Sequence, residues 1–242
     1  MPPPGREGNA DGIGLRDVFF RVSSLLWDKK NLSIISKEVE KENFAYIGNH
    51  SHSHDYLTKF AFQKFVEDIE ESIKIFKNKL GYNPIYFSYP FGEYNLEQKN
   101  YIANNFEFAF GQHSGVIDLN KDKYELPRFP INEKYGEMKR FKEVISYLPL
   151  QYRIIKPENK FMKDGENPPK MTIEFFEDQK NLENITCYSN EGSKWRKTKI
   201  FLIDNILNIN FSEKFIERRG RINCSLKDEN GWRFSGFQFV QN

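Results

Sequence analysis

The sequence predicts an α/β chain in two parts: a strand–helix unit on a parallel sheet, then a small, sandwich-like all-β domain. Two observations carry this. One strongly amphipathic helix lies between short apolar runs, and a second helix and a further run follow at the same pace. Strand, helix, strand, helix, strand at this spacing is how parallel sheets are built. Past Pro149 the texture changes to short β-prone runs separated by Asn, Asp, Gly and Ser, with no helical stripe.

Residues 1–14 are rich in Pro, Gly and charge and are expected to be disordered. The α/β domain is expected over 15–155. Leu15 to Trp27 is apolar enough for burial but has no clear period, and Asn31 to Glu42 reads as a short helix with Leu32, Ile35 and Val39 on one face. Phe44 to Ile47 reads as a buried strand closed by Gly48. From about Lys59 to Leu80, the residues Phe62, Phe65, Val66, Ile69, Ile73, Phe76 and Leu80 make a single helical stripe. Gly81 stands where a C-cap belongs, and Pro84 prevents continuation. Ile85 to Phe87 and Phe106 to Phe110 read as strands, Asn95 to Asn104 as a second helix, and Tyr135 to Tyr147 as a helical stretch.

Residues 156–167 have linker composition, with Pro157 and Gly165. The antiparallel β domain is expected over 168–242. Its runs are Met171 to Phe176, Ile185 to Tyr188, Lys199 to Ile203, Leu207 to Phe211, Arg221 to Leu226 and Phe234 to Val240.

The charge balance, 36 Lys+Arg against 34 Asp+Glu, is spread along the chain and gives no argument for a nucleic-acid partner. No apolar run approaches the roughly 18 to 20 residues that a membrane helix needs. The first residues lack the apolar core of a secretory signal, so a cytoplasmic location is expected. Cys187 and Cys224 could bridge two strands, but buried reduced thiols are the expectation.

Three of the four histidines fall within Ile47-Gly-Asn-His50-Ser-His52-Ser-His54-Asp55. His50 and His54 stand four apart, so a helical turn would aim both rings the same way; in an extended strand His50, His52 and His54 would share a face. Imidazole is the commonest ligand for zinc and its neighbours. A solvated surface cluster is the other reading, and the strand-plus-glycine before it favours the metal, because ligands gather at the carboxyl ends of parallel strands. The second constellation is Ser88-Tyr89-Pro90-Phe91-Gly92, a strand running into a tight turn. Such a turn can aim backbone N–H groups at a developing oxyanion and present aromatic faces to a sugar. A plain hydrophobic turn is the alternative.

Together, the order strand–Gly-Asn-His-Ser-x-x-His, amphipathic helix, strand–Tyr-Pro-Phe-Gly resembles the polysaccharide deacetylase (NodB-homology, carbohydrate esterase family 4-like) family, over roughly Trp27 to Ile131. The resemblance implies a partial (β/α) barrel and a metal-dependent hydrolase that removes N-acetyl groups from a polysaccharide or amino sugar. It makes His50 and His54 ligands of a divalent metal, zinc being the expected one. The Phe91 backbone N–H would stabilise the oxyanion, while Tyr89, Pro90, Phe91 and Gly92 would line the sugar groove. Arg128, in Leu126-Pro-Arg-Phe, would steady an acidic residue, and His113 occupies an expected loop position.

The sequence departs from the family in two places. No Asp-Asp pair occurs, although that motif supplies the general base and the third metal ligand, and the late Leu-x-x-His motif is not recognisable. Only 26 residues precede Trp27, so the chain is expected to lack the start of the barrel. Two imidazoles without an anionic ligand bind a divalent ion weakly, and Asp55 could help only if its backbone turned it inward. The alternative is therefore a non-catalytic carbohydrate-binding relative. A third possibility makes the β domain a sugar-binding module through Trp195 and Trp232, although burial in the core is the commoner fate of tryptophan.

Overall fold

The computed structural model describes residues 18–22, 38–39, 41, 45–118, 120–131 and 135–241. The expectations for 1–14, for the rest of Leu15 to Trp27 and for most of Asn31 to Glu42 lie outside the described residues. The chain divides into two compact units, one reaching Gly111 and including Asp122–Glu125, the other formed by Gln112–Lys121 and Leu126 onward.

The first unit is built on four parallel strands in sequence order: β1 (Val18–Val22), β2 (Ala45–Asn49), β3 (Tyr86–Ser88) and β4 (Phe108–Phe110). Helix α1 (Phe62–Leu80) connects β2 to β3, and α2 (Leu96–Asn105) connects β3 to β4. The middle of the stripe read from the sequence is buried, with Phe65, Ile69 and Phe76 at most 2% exposed, while Phe62 at its start is 37% exposed. Gly81 ends the helix at φ +87°, a left-handed conformation that lets its N–H reach the Lys77 carbonyl at 2.8 Å. α2 begins with a capping box in which the Asn95 side chain accepts from the Gln98 N–H and the Gln98 side chain accepts from the Asn95 N–H.

Leu57, Phe65, Ile69, Phe87, Tyr89, Tyr94, Ile102, Phe106 and Ala109 make the core between these elements. Burying each large side chain contributes roughly 1.5–3 kcal/mol before conformational entropy is subtracted. A charged cluster closes one side of this core. Lys99 donates to Asp122 at 2.6 Å and to Glu125 at 3.4 Å, and the Tyr94 hydroxyl donates to Glu125 at 2.9 Å. Asp122–Glu125 are thereby fastened to α2, and the Ala109 N–H bonds the Lys123 carbonyl at 2.9 Å.

The second unit contains a short helix α3 (Met138–Val144) and two sheets. Its strands are β5 (Leu148–Pro149), β6 (Ile154–Lys156), β7 (Phe161–Met162), β8 (Met171–Glu174), β9 (Thr186–Ser189), β10 (Arg196–Lys197), β11 (Lys199–Ile203), β12 (Ile206–Asn210), β13 (Arg219–Asp228) and β14 (Gly231–Gln241). One sheet runs β10-β9-β13-β14-β5 with β7 also on β14, and the other runs β11-β12-β8-β6. Ile173, Leu207 and Ile209 from the second sheet share a core cluster with Ile222, Leu226, Phe237 and Phe239 from the first. Alternation along each strand supplies these inward side chains.

Several expectations change here. Residues 156–167, read as a linker, instead carry β7 and the end of β6, which pair with β14 and β8. Cys187 and Cys224 are not free thiols but a disulfide. The correction has a simple cause: they are directly opposed on β9 and β13, both facing the core at 0% exposure. Trp195 and Trp232, expected in the core, are 53% and 48% exposed. Trp232 lies opposite Lys227, one position out of phase with the inward Leu226, so strand alternation turns it to the surface.

Candidate functional site

β2 and β3 end beside one another, with Asn49 opposite Phe87, and the chain leaves each strand through a tight turn. In the turn after β2, the Asn49 side-chain oxygen accepts from the Ser51 N–H at 2.9 Å and from the Ser72 hydroxyl at 3.1 Å. Ser51 Oγ accepts from the His54 N–H at 3.0 Å. The Asp68 carboxylate, projecting from α1, accepts from the backbone N–H groups of His52 and Ser53, each at 2.9 Å. These bonds hold Ser51 and His54 at φ +66° and +56°, a left-handed conformation costing about 1–2 kcal/mol per non-glycine residue.

That geometry sets the histidines. His50 is 5% exposed, and its Nδ1–H donates to the Ser88 carbonyl at 2.5 Å. A carbonyl oxygen only accepts, so a proton sits on Nδ1, and in the neutral ring the lone pair is then on Nε2. The His54 ring lies with its centroid 4.7 Å from that of His50 and 5.0 Å from that of Phe91. The two rings thus converge at the carboxyl ends of β2 and β3, beside the Pro90 turn.

The turn after β3 is a single 3-10 turn over Pro90–Gly92, closed by the Gly92 N–H on the Tyr89 carbonyl at 2.9 Å and the Glu93 N–H on the Pro90 carbonyl at 3.1 Å. Phe91 sits at φ +58°, an outlier for a bulky side chain. Its ring stacks on Tyr56 at 4.3 Å and 17°. Tyr89, Pro90 and Gly92 are buried, and the Tyr89 hydroxyl donates to the Tyr124 carbonyl at 3.0 Å. The surface offered by the turn therefore comes from the half-buried Phe91 and Tyr56.

Chemically, the site has two imidazole donors. Among the described residues, no group of three or more His, Cys, Asp or Glu converges to hold a metal ion. The donors present fit two positions of the usual four around a zinc-like ion, a weak site. Asp55 is exposed, with its N–H on Ser53 Oγ at 3.2 Å. His113 and Arg128 belong to the second unit, where the Arg128 N–H donates to the His113 carbonyl at 3.0 Å.

Sequence reasoning missed Asp68, Ser88 as a carbonyl acceptor, and Tyr56. Asp68 left a signal: with Ser72 it occupies the buried face of α1 beside Phe65 and Ile69, where a charge needs a purpose. A backbone acceptor and a stacking partner leave none.

Comparison with known proteins bears on the first unit. Residues 14–110 match the family model "Polysaccharide deacetylase". Among solved structures, the chain is similar to the deacetylase PplD of Streptococcus pyogenes in complex with acetate, at 16% identity over 53% of this chain and 58% of that one, TM-score 0.48. It is also similar to a de-N-acetylase from Aggregatibacter actinomycetemcomitans, at 13% identity over 53% and 64%, TM-score 0.43. A CE4 family pseudoenzyme from Bacillus anthracis matches at 16% identity over 38% and 32%, TM-score 0.34. The chain spans between about a third and two thirds of the length of these proteins. No curated protein matches it.

Proposed function

We propose that the first unit is part of a (β/α) barrel carrying a deacetylase-type site, which removes N-acetyl groups from a polysaccharide or amino sugar. The reading rests chiefly on the convergence of the His50 and His54 rings, the first oriented by the bond from its Nδ1 to the Ser88 carbonyl. The two imidazoles would hold a divalent ion, zinc by preference of the donor set, which when bound would polarise the amide carbonyl. Asp68 keeps the loop carrying both rings in place. The backbone N–H of Phe91 would donate to the oxygen on which negative charge develops, while the Phe91–Tyr56 stack walls the acyl and sugar groups. Tyr89, Pro90 and Gly92 act by shaping that turn from within.

One observation favours a second reading, a non-catalytic carbohydrate-binding relative. The sequence contains no Asp-Asp pair, and among the described residues no third His, Cys, Asp or Glu converges with His50 and His54 as a further ligand. Without a carboxylate to accept its proton, an attacking water lacks general-base help.

Zinc titration by calorimetry, followed by acetate release from N-acetylglucosamine oligomers, tests both. The hydrolase reading expects zinc binding that disappears in His50→Ala and in His54→Ala, and zinc-dependent acetate release. Zinc binding undiminished in both variants, or none at all, rejects it. Glycan binding that is weakened in Tyr56→Ala, without zinc binding or acetate release, selects the second reading.

The disulfide also bears on location. We propose an oxidising compartment for the chain, because a disulfide such as Cys187–Cys224 persists where thiols are not kept reduced. Alkylation of unreduced protein recovered from its own cells checks this, and two free thiols would reverse it.

A further inference from the structure

The second unit carries an aromatic groove for which the deacetylase reading has no use. β9, β13 and β14 lie side by side, with Thr186 opposite Ser225, Tyr188 opposite Asn223 and Lys227 opposite Trp232. On the inner face the Cys187–Cys224 bridge ties β9 to β13, so the outer face is a braced platform. A groove of about 640 Å³ opens on that outer face, lined by Tyr188, Trp232, Asn181, Asn184, Thr186 and Ser225, with Lys227 and Asp228 at its edge. Tyr188 and Trp232 are 47% and 48% exposed.

We propose that this groove binds an uncharged glycan chain. The chemistry of the lining selects that ligand over others. Two exposed aromatic rings offer flat apolar surface to the C–H faces of pyranose rings, while amide and hydroxyl side chains match sugar hydroxyls as both donors and acceptors. Among the described residues no aliphatic side chain lines the groove, although a protein partner would be expected to need an apolar centre. Its charges are few and engaged. The Asp228 carboxylate is taken by Arg233 and by the N–H groups of Asn230 and Gly231 at 2.9 and 3.1 Å. The Lys227 ammonium stands over the Trp232 ring at 5.9 Å. A single cation cannot hold a nucleic-acid backbone, which needs several.

The proposal stands apart from the histidine site, and its test keeps the two separate. Calorimetry on the full chain uses hexamers of β-1,4-linked N-acetylglucosamine and of β-1,4-linked glucose, with heparin as the anionic control. At least one hexamer should bind, about tenfold more weakly after Tyr188→Ala or Trp232→Ala. Trp232→Phe should keep most of the affinity, which separates loss of the stacking face from damage to the β13–β14 hairpin. Trp195→Ala, exposed but outside the groove, should leave affinity unchanged. Binding of neither hexamer, binding of heparin alone, or hexamer affinity that neither Tyr188→Ala nor Trp232→Ala reduces overturns the proposal. Hexamer binding lost in His50→Ala but kept in Trp232→Ala also overturns it, and assigns the glycan to the histidine site.

Discussion

The Nδ1–H of His50 donates to the carbonyl of Ser88 at 2.5 Å, so the end of β3 decides the tautomer of an imidazole in the loop after β2. The bond ties the loop after β2 to the end of β3, and in a neutral ring it directs the lone pair to Nε2. Outer bonds of this kind orient ligand histidines generally.

The two nitrogens of His50 can be separated by substitution. Asparagine can place an amide N–H near the position of Nδ1 but has nothing at Nε2. His50→Asn should therefore stay within about 1 kcal/mol of wild-type stability and lose zinc binding. His50→Ala, which strands the buried Ser88 carbonyl, should lose about 1–3 kcal/mol as well. Urea denaturation paired with zinc calorimetry checks both.

Asp68 holds the same loop from α1. Each of its bonds to the His52 and Ser53 N–H groups is charge-assisted. Asp68→Ala should lower stability by about 2–4 kcal/mol, near the sum for two such bonds less what water restores. If the loop is a ligand platform, zinc affinity should fall by roughly 10- to 100-fold in the folded variant. An unchanged zinc affinity in folded Asp68→Ala would show that the loop holds its shape without the carboxylate.

Phe91 is held in a conformation that favours glycine. At φ +58° a Cβ costs about 1–2 kcal/mol, so Phe91→Gly should be more stable than Phe91→Ala by about 1 kcal/mol. The usual preference between these residues in regular structure is the reverse. Both variants lose the stack on Tyr56 equally. Thermal denaturation of the pair isolates the backbone contribution, and an alanine variant at least as stable would mean that the turn relaxes.

The Lys99 cluster predicts a pH dependence. Burial by itself would lower the Lys99 pKa, but Glu125 and Asp122 outweigh it and hold it above its ordinary value. Burial first, then Glu125, also raises the Tyr94 hydroxyl well above its ordinary value. The folded chain thus keeps protons that the unfolded chain releases above about pH 10. This stabilisation is present in full below that pH and is lost as pH rises through the raised folded values. Denaturation midpoints should fall across that window in the wild type and less steeply in Lys99→Met and Tyr94→Phe. A slope that neither variant changes would place the titrating groups elsewhere.

Helix α1, its glycine cap, β2 to β4 and six runs of the second unit were legible in the sequence because each carries its own period or punctuation. Strands β5, β7 and β10 were not: each is two residues long and exists only because β14 or β9 offers a free edge. The exposed tryptophans were misread for a related reason, since composition says nothing of which way an alternating strand faces until its partner sets the register. The disulfide likewise depends on Cys187 and Cys224 standing opposite one another, a fact of pairing.

By itself the sequence determined the candidate residues: a histidine cluster after one apolar run, and a proline–glycine turn after the next. These are local facts, written in spacing and residue type. Tertiary structure decided that β2 and β3 lie adjacent, that Ser88 orients His50, that Asp68 reaches back to the loop and that Tyr56 covers Phe91. Those contacts join residues up to 38 positions apart. Only the packing of strands and helix can choose such neighbours, because no local preference of the chain specifies them.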